Sequence, residues 1–198
     1  GIFKGYTTGA PITILFENNN TRSEDYDKHR EVPRPGHADF TAHAKYGGFE
    51  DYRGGGHFSG RLTVCLVAAG VIAKKLLAKT GGVQVHAKIL EIGGHTDLEK
   101  GLQVAIDAKD SIGGIVDCTA INLPVGLGEH FFDSIESMLE HAVFSIPAVR
   151  GIEFGTGFAA AKMFGVDHND AILDASGKTS TNHAGGIVGG ITNGNDLY

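Results

Sequence analysis

Hydrophobic and polar positions sort this chain into elements before any other property is considered. Residues 11–17 are β-rich, follow a turn-forming Thr8-Gly9-Ala10 and end in Asn18-Asn19-Asn20, which predicts one strand. From Thr21 to about Gly56 polar residues, Pro and Gly dominate and no periodicity persists, so a long loop is expected. Residues 62–77 are apolar on nearly every side up to Lys74 and Lys75, the pattern of a helix buried in a core. Residues 83–92 alternate as a strand, 97–109 read as a helix and 114–123 as another strand. In 134–146, Ile135, Met138, Leu139, Ala142, Val143 and Ile146 recur at helical spacing behind an Asp133/Glu136 pair that resembles a capping box, predicting a helix whose stripe belongs to the core. Residues 149–154 read as a short strand, and a helical turn is expected around 158–164. No internal repeat or linker interrupts the pattern, so residues 1–198 are expected to form one domain. Strands and helices without regular βαβ alternation predict an α+β arrangement, with buried helices packed against sheets.

Composition changes this picture in three ways. The 30 glycines among 198 residues are about twice the usual share, which calls for turns or close backbone approaches. The formal charge of −6 argues against a nucleic-acid surface, and no apolar run approaches the roughly 20 residues of a membrane span. Charge is nevertheless uneven: Lys28, Arg30, Arg34, Lys45, Arg53 and Arg61 outnumber Glu31, Asp39, Glu50 and Asp51, and His29, His37, His43 and His57 lie among them. A basic, His-rich stretch in an acidic chain suggests a small anionic ligand. Cys65 and Cys118 sit in apolar runs and are expected to be buried free thiols, without a disulfide or zinc role. No targeting signal is visible, and because the chain starts at Gly1 without a methionine, the native N-terminus is expected to lie upstream.

Candidate chemistry concentrates in residues 34–61. Pro35 holds Arg34 extended and Pro35-Gly36 sets a turn, which aims Arg34 and His37 from a stiffened loop. Arginine can grip phosphate or carboxylate with two parallel bonds, and histidine can donate a proton near neutral pH. A solvated loop would carry the same two residues. Arg53-Gly54-Gly55-Gly56-His57-Phe58-Ser59-Gly60-Arg61 places free amides and two arginines where the long helix begins. It matches neither GxxxxGK[ST] nor GxGxxG, and a flexible connector fits it equally well. No His, Asp or Glu set has metal-ligand spacing, and no Gly-x-Ser-x-Gly supports a serine nucleophile. His130 and His183 receive no role.

Taken together, Arg34-Pro35-Gly36-His37-Ala38-Asp39, Lys45-Tyr46-Gly47, Asp51-Tyr52-Arg53-Gly54-Gly55-Gly56 and Ser59-Gly60-Arg61 closely resemble chorismate synthases in order and spacing. The resemblance continues through Ala68-Ala69-Gly70, Ala73-Lys74-Lys75, residues 110–114, residues 124–129, Phe144-Ser145-Ile146-Pro147-Ala148, residues 182–187 and Gly189-Gly190. The family's N-terminal Gly-Glu-Ser-His-Gly block and its C-terminal Lys-Pro-Thr-Ser-Ser and Arg-His-Asp blocks have no counterpart in residues 1–198. His57-Phe58 also stands where many members have Arg-Ser.

The resemblance implies a largely antiparallel fold with helices sandwiched between sheets, a cytoplasmic homotetramer and a carbon–oxygen lyase of aromatic amino-acid biosynthesis, the shikimate pathway. The implied reaction is a 1,4-anti elimination in which 5-enolpyruvylshikimate 3-phosphate loses its phosphate and a C6 hydrogen to give chorismate. Reduced FMN is required without net redox change, with NADPH a candidate external reductant. By the same resemblance His37 is the general acid beside the reduced flavin. Arg34, Ser59, Gly60 and Arg61 bind the anionic substrate, and His57, Phe58, Ser59, Pro147, Ala148 and Gly189 contact FMN. Pro147 and Gly189 fit equally well as a helix end and a turn. The family's second proton-transfer histidine belongs to the N-terminal block, so no residue is offered for it, and residues 1–198 by themselves are expected to be inactive. A non-catalytic flavin- or phosphate-binding module is the alternative; a convergent phospho-sugar or phospho-acid enzyme is a weaker one.

Overall fold

The computed structural model describes residues 1–19, 22 and 24–198. Their contacts group them into two units, residues 1–72 with 146–148, and residues 73–145 with 149–198.

The first unit opens with a hairpin of β1 (Ile2–Phe3) and β2 (Tyr6–Thr7), turned by Lys4 and Gly5. Residues 11–17 form no strand, contrary to what their β-rich composition predicts. A strand persists only where a second one supplies its ladder bonds, Pro11 brings no amide hydrogen, and no described strand pairs with this run. The expected long loop also contains regular structure: the short helix α1 (Glu24–Asp27) and α2 (Asp39–Tyr46). Gly47, with a left-handed backbone at φ 60°, ends α2 and donates its amide to the His43 carbonyl.

Helix α3 (Thr63–Gly81) stands where the apolar run predicted it and continues one turn further. It is not buried. None of its residues is enclosed, and Leu66, Val67, Val71 and Leu76 are about half exposed or more. A helix apolar all round is suited to an interior, yet the described elements of this chain do not cover it. Cys65 on this helix and Cys118 are likewise exposed, not buried.

In the second unit β3 (Gln84–Ile92) pairs antiparallel with β4 (Gly114–Ile121), in register from Gln84↔Ile121 to Ile92↔Gly114 with a bulge between Ile89 and Glu91. The connection carries α4 (Leu98–Ala108), which packs on β3 and starts from an Asp97 side chain that accepts from the Lys100 amide at 3.1 Å. β4 stops two residues short of the expected end because Asn122 turns to φ 62° and its side-chain amide donates to the Gly82 carbonyl at 3.1 Å. Helix α5 (Ile135–Val143) is capped by Ser134, whose hydroxyl accepts from the Ser137 amide, instead of the Asp133/Glu136 pair. Its apolar stripe is only partly covered, with Met138 56% exposed.

Residues 149–154 are not a strand. The chain there leads into a turn whose amides bond elsewhere, Gly155 to the Tyr198 carbonyl and Thr156 to the His183 carbonyl. The expected helical turn is present as a 3-10 stretch at Gly157–Lys162, followed by the short α6 (Gly165–His168). A final hairpin of β5 (Ile187–Val188) and β6 (Ile191–Thr192) returns the chain to β4, where Ala120 and Leu197 exchange two backbone bonds. Every pairing is antiparallel, and the chain has the α+β class expected of it.

Thr192 locks this return. It is fully buried, its hydroxyl donates to the Pro124 carbonyl at 2.7 Å and accepts from the Leu127 amide at 2.9 Å, and its backbone bonds Leu127 and Gly126. Replacing Thr192 by Val keeps the volume but takes this partner from the part-buried Leu127 amide and Pro124 carbonyl. The Thr192→Val protein is expected to lose about 2 kcal/mol of stability, measured as a lower midpoint at unchanged slope in urea unfolding.

Candidate functional site

The site grows from a turn. Arg34-Pro35-Gly36-His37 closes with the His37 amide on the Arg34 carbonyl at 3.3 Å, Pro35 in second place and Gly36 in third at φ 72°, the conformation a type II turn requires. The turn brings the Arg34 and His37 side chains to one side and delivers Asp39 as the first residue of α2, where unpaired helical amides favour a negative charge.

Asp39 takes most of what this turn offers. Arg34 donates to it from Nε and Nη2, each at 2.8 Å, in the two-pronged geometry that suits guanidinium and carboxylate, and adds its backbone amide at 3.0 Å. His37 Nδ1 lies 2.7 Å from the Asp39 Oδ1. Arg34 Nη2 also passes 3.1 Å from His37 Nδ1 and 3.3 Å from Nε2, and its guanidinium sits over the Tyr26 ring at 5.5 Å. Asp39 is consequently held far below the usual carboxylate range, first by the bonds from Arg34, while Arg34 is held above its own ordinary value by the same carboxylate. The two-pronged grip expected of Arg34 toward a ligand is thus spent on Asp39.

The second part is the glycine run. Gly54, Gly55 and Gly56 have φ of 61°, 84° and 59°. A side chain at Gly56 would collide with the Asp51 carbonyl oxygen. This fold-back lets Arg61 reach over the run and donate from Nη1 to the Gly54 carbonyl, so Arg61 meets a carbonyl where Arg34 meets a carboxylate. Arg53 forks onto Asp51 at 2.8 Å from both Nε and Nη2, which lowers the Asp51 carboxyl to about 2. Ser59 caps the next turn by accepting from the Arg61 amide, and Thr63 opens α3 with its hydroxyl on the Gly60 carbonyl at 2.7 Å.

His37, Asp39 and Phe58 line one narrow cleft of about 30 Å³, together with Tyr26, His43 and Tyr52. The candidate residues 34, 37 and 57–61 therefore share one unit, and Pro147 and Ala148 group with that unit as well, Ala148 in a left-handed backbone at φ 71°. Gly189 belongs to the other unit. It forms the β5–β6 turn with Gly190 at φ 64° and 86°, and the space a side chain would enter at Gly189 is open.

Asp39 received no role in the sequence reading, although it stands in the motif. A carboxylate two residues beyond a histidine and five beyond an arginine, at the start of a helix, was the available signal. His183 donates its backbone amide to Asp170 at 2.8 Å, its Nδ1 lies 2.9 Å from the Thr156 hydroxyl, and it stacks on His168. Those are the bonds of a residue that ties loops together. Among the described residues, no group of three or more His, Cys, Asp or Glu is placed to hold a metal ion. No helix among them is long and apolar enough to cross a membrane.

Comparison with known proteins places these features. A family model described as chorismate synthase matches residues 1–198. The chorismate synthase of Chitinophaga pinensis is 73% identical over 197 residues, which cover 100% of this chain and 59% of that protein. Those of Dehalococcoides mccartyi and Pyrococcus abyssi are each 44% identical, covering 100% and 98% of this chain and 62% of each relative. A crystal structure of a chorismate synthase superposes with a TM-score of 0.69 at 26% identity, over 78% of this chain and 58% of the other. The chain thus spans about 59–62% of the length of these curated relatives.

Two outcomes follow from the geometry. Gly56→Ala is expected to cost about 1–3 kcal/mol because the backbone conformation and the Asp51 carbonyl both oppose a side chain, whereas Gly60→Ala, with nothing within 4 Å of the new methyl, is expected to stay within about 0.5 kcal/mol; denaturant unfolding of the two variants checks the contrast. Because the folded-state value of Asp39 is depressed, its contribution is present above the ordinary value of about 3.9 and is lost only as pH falls through the lower folded value. The Asp39 carboxyl ¹³C resonance is accordingly expected to hold its position from pH 7 to pH 4, and a midpoint near 4 would show the fork to be open in solution.

Proposed function

The chain belongs to the chorismate synthase family, and from that premise we propose that the protein carrying it converts 5-enolpyruvylshikimate 3-phosphate to chorismate and phosphate with reduced FMN. The observation that supports this reading best is the meeting of His37 and Phe58 in one cleft, a proton donor and an exposed aromatic ring reached from different parts of the chain. The module alternative has no feature of its own in its favour, since every match reported above is to a chorismate synthase along essentially the whole chain or most of it.

The residues present fit a flavin. Phe58 offers an apolar ring face at the cleft, beside the polar groups of His37 and Tyr52. When bound, reduced FMN supplies the electronics of an elimination that is otherwise difficult. The chain's own residues do the remainder of this half of the work. His37 carries a transferable proton at the cleft wall. Arg61, whose guanidinium meets only a carbonyl, is the better placed cation for a substrate phosphate or carboxylate, while Arg34 has Nη1 left for the same anion after Nε and Nη2 go to Asp39. Ser59 and Gly60 border the Arg61 amide. His57, Ser59, Pro147, Ala148 and Gly189 are proposed cofactor contacts, the last three through backbone.

We extend the proposal to one domain over residues 1–198 and to a cytoplasmic homotetramer, with NADPH as candidate reductant. The uncovered apolar side chains of α3, α4 and α5 are consistent with faces that assembly would enclose. The chain exposes 14,900 Å², against roughly 8,900 Å² for a folded monomer of its mass.

The intact protein, given reduced FMN and 5-enolpyruvylshikimate 3-phosphate without oxygen, is expected to form chorismate with release of one phosphate, followed by absorbance; a folded protein that forms none refutes the reading. His37→Ala is expected to reduce kcat by about 10²–10⁴-fold, and an unchanged rate would take His37 out of the reaction.

A further inference from the structure

A histidine that delivers a proton needs its ring held in one orientation and its two nitrogens given different tasks. His37 is on a turn, where backbone alone does not hold a ring. The contacts that could hold it are those of Arg34 and Asp39. An arginine N–H and an imidazole N–H cannot donate to each other, and Arg34 has no acceptor to offer. Asp39 does. Its Oδ1 lies 2.7 Å from His37 Nδ1, closer than Arg34 Nη2 at 3.1 Å, and Nη2 already donates to that same oxygen at 2.8 Å. Arg34 Nη2 also lies 3.3 Å from Nε2, which can accept from it, so the assignment that suits both neighbours places the hydrogen on Nδ1, facing Asp39.

We propose that Asp39 is the positioning residue of this site: one carboxylate anchors the His37 ring through Nδ1, so that the imidazolium gives its proton from Nε2 and is left neutral with its hydrogen on Nδ1, and the same carboxylate fixes Arg34 beside it. The proposal rests on the reading of His37 as the general acid. Asp39 does not itself give up or take a proton in this scheme. Its negative charge is secured by the Arg34 fork and by its place at the start of α2, and it is largely shielded from water, with 15% of its side chain exposed. One charge thus orders two functional side chains that the backbone turn merely brings near.

A double-mutant cycle in the intact protein tests this, with kcat and KM measured for 5-enolpyruvylshikimate 3-phosphate under reduced FMN. Asp39→Asn is expected to lower kcat on the order of 10²-fold, the scale of a misplaced reacting group. In the His37→Ala background the same change is expected to alter kcat less than about twofold, since the proton donor is already gone, and the release of Arg34 is expected to appear in KM in both backgrounds. Asp39→Glu should recover part of the loss. An equal loss in both backgrounds would make Asp39 a structural residue only and overturn its role while the acid assignment stands. His37→Ala at the wild-type rate would remove the acid and the role of Asp39 with it. A readout independent of any variant is the ¹⁵N spectrum of the neutral His37 ring: the hydrogen is expected on Nδ1, and a hydrogen on Nε2 overturns the proposal.

Discussion

Asp39 stands at the first turn of α2, where helical amides without partners favour a negative charge, and its two oxygens receive Arg34 twice from the guanidinium and once from the backbone, with His37 Nδ1 2.7 Å away. Around that charge the described site closes. Without it the Arg34 guanidinium would lose the acceptor of both prongs and the His37 ring its nearest polar neighbour. The fork also decides a division of labour between arginines: Arg34 becomes part of the framework, and Arg61, bound to a carbonyl, keeps a charge to offer.

The glycines are the second constraint, and they act through the backbone. Gly36 permits the type II turn that aims Arg34 and His37, and Gly56 permits the chain to pass against the Asp51 carbonyl so that Arg61 can fold back over Gly54. Neither position tolerates a side chain, for different reasons: a left-handed conformation at Gly36, and that conformation plus a collision at Gly56. The abundance of glycine in this family member is thus tied to the shape of its site. The second unit uses another device, a buried hydroxyl at Thr192 that satisfies a carbonyl and an amide of residues 124–127, which fastens the last hairpin beside β4.

Legibility varied with the kind of information each element needs. β3, α4, β4 and α5 were read to within a few residues because periodicity and turn signals are local and the pieces pair with near neighbours in sequence. Residues 11–17 and 149–154 read as strands and form none, because a strand needs a partner that local composition cannot guarantee. Helix α2 was invisible in a stretch rich in Pro and Gly, since its start depends on a turn and its end on Gly47. The cap of α5 fell to Ser134, one residue from the expected pair, because the hydroxyl reaches the Ser137 amide.

By itself the sequence determined the family, the α+β class, the turn at Pro35-Gly36 and the cluster of candidate residues between Arg34 and Arg61, because all of these are written in residue type and spacing. Only the tertiary structure decided what those residues touch. It joined Arg34 to Asp39, turned Arg61 onto the Gly54 carbonyl, set Phe58 beside the His37 cleft and left α3 and both cysteines exposed. The reason is physical: apolarity records a tendency to leave water and a charged residue records a need for a partner, but which surface or partner answers depends on distances that residue order does not contain.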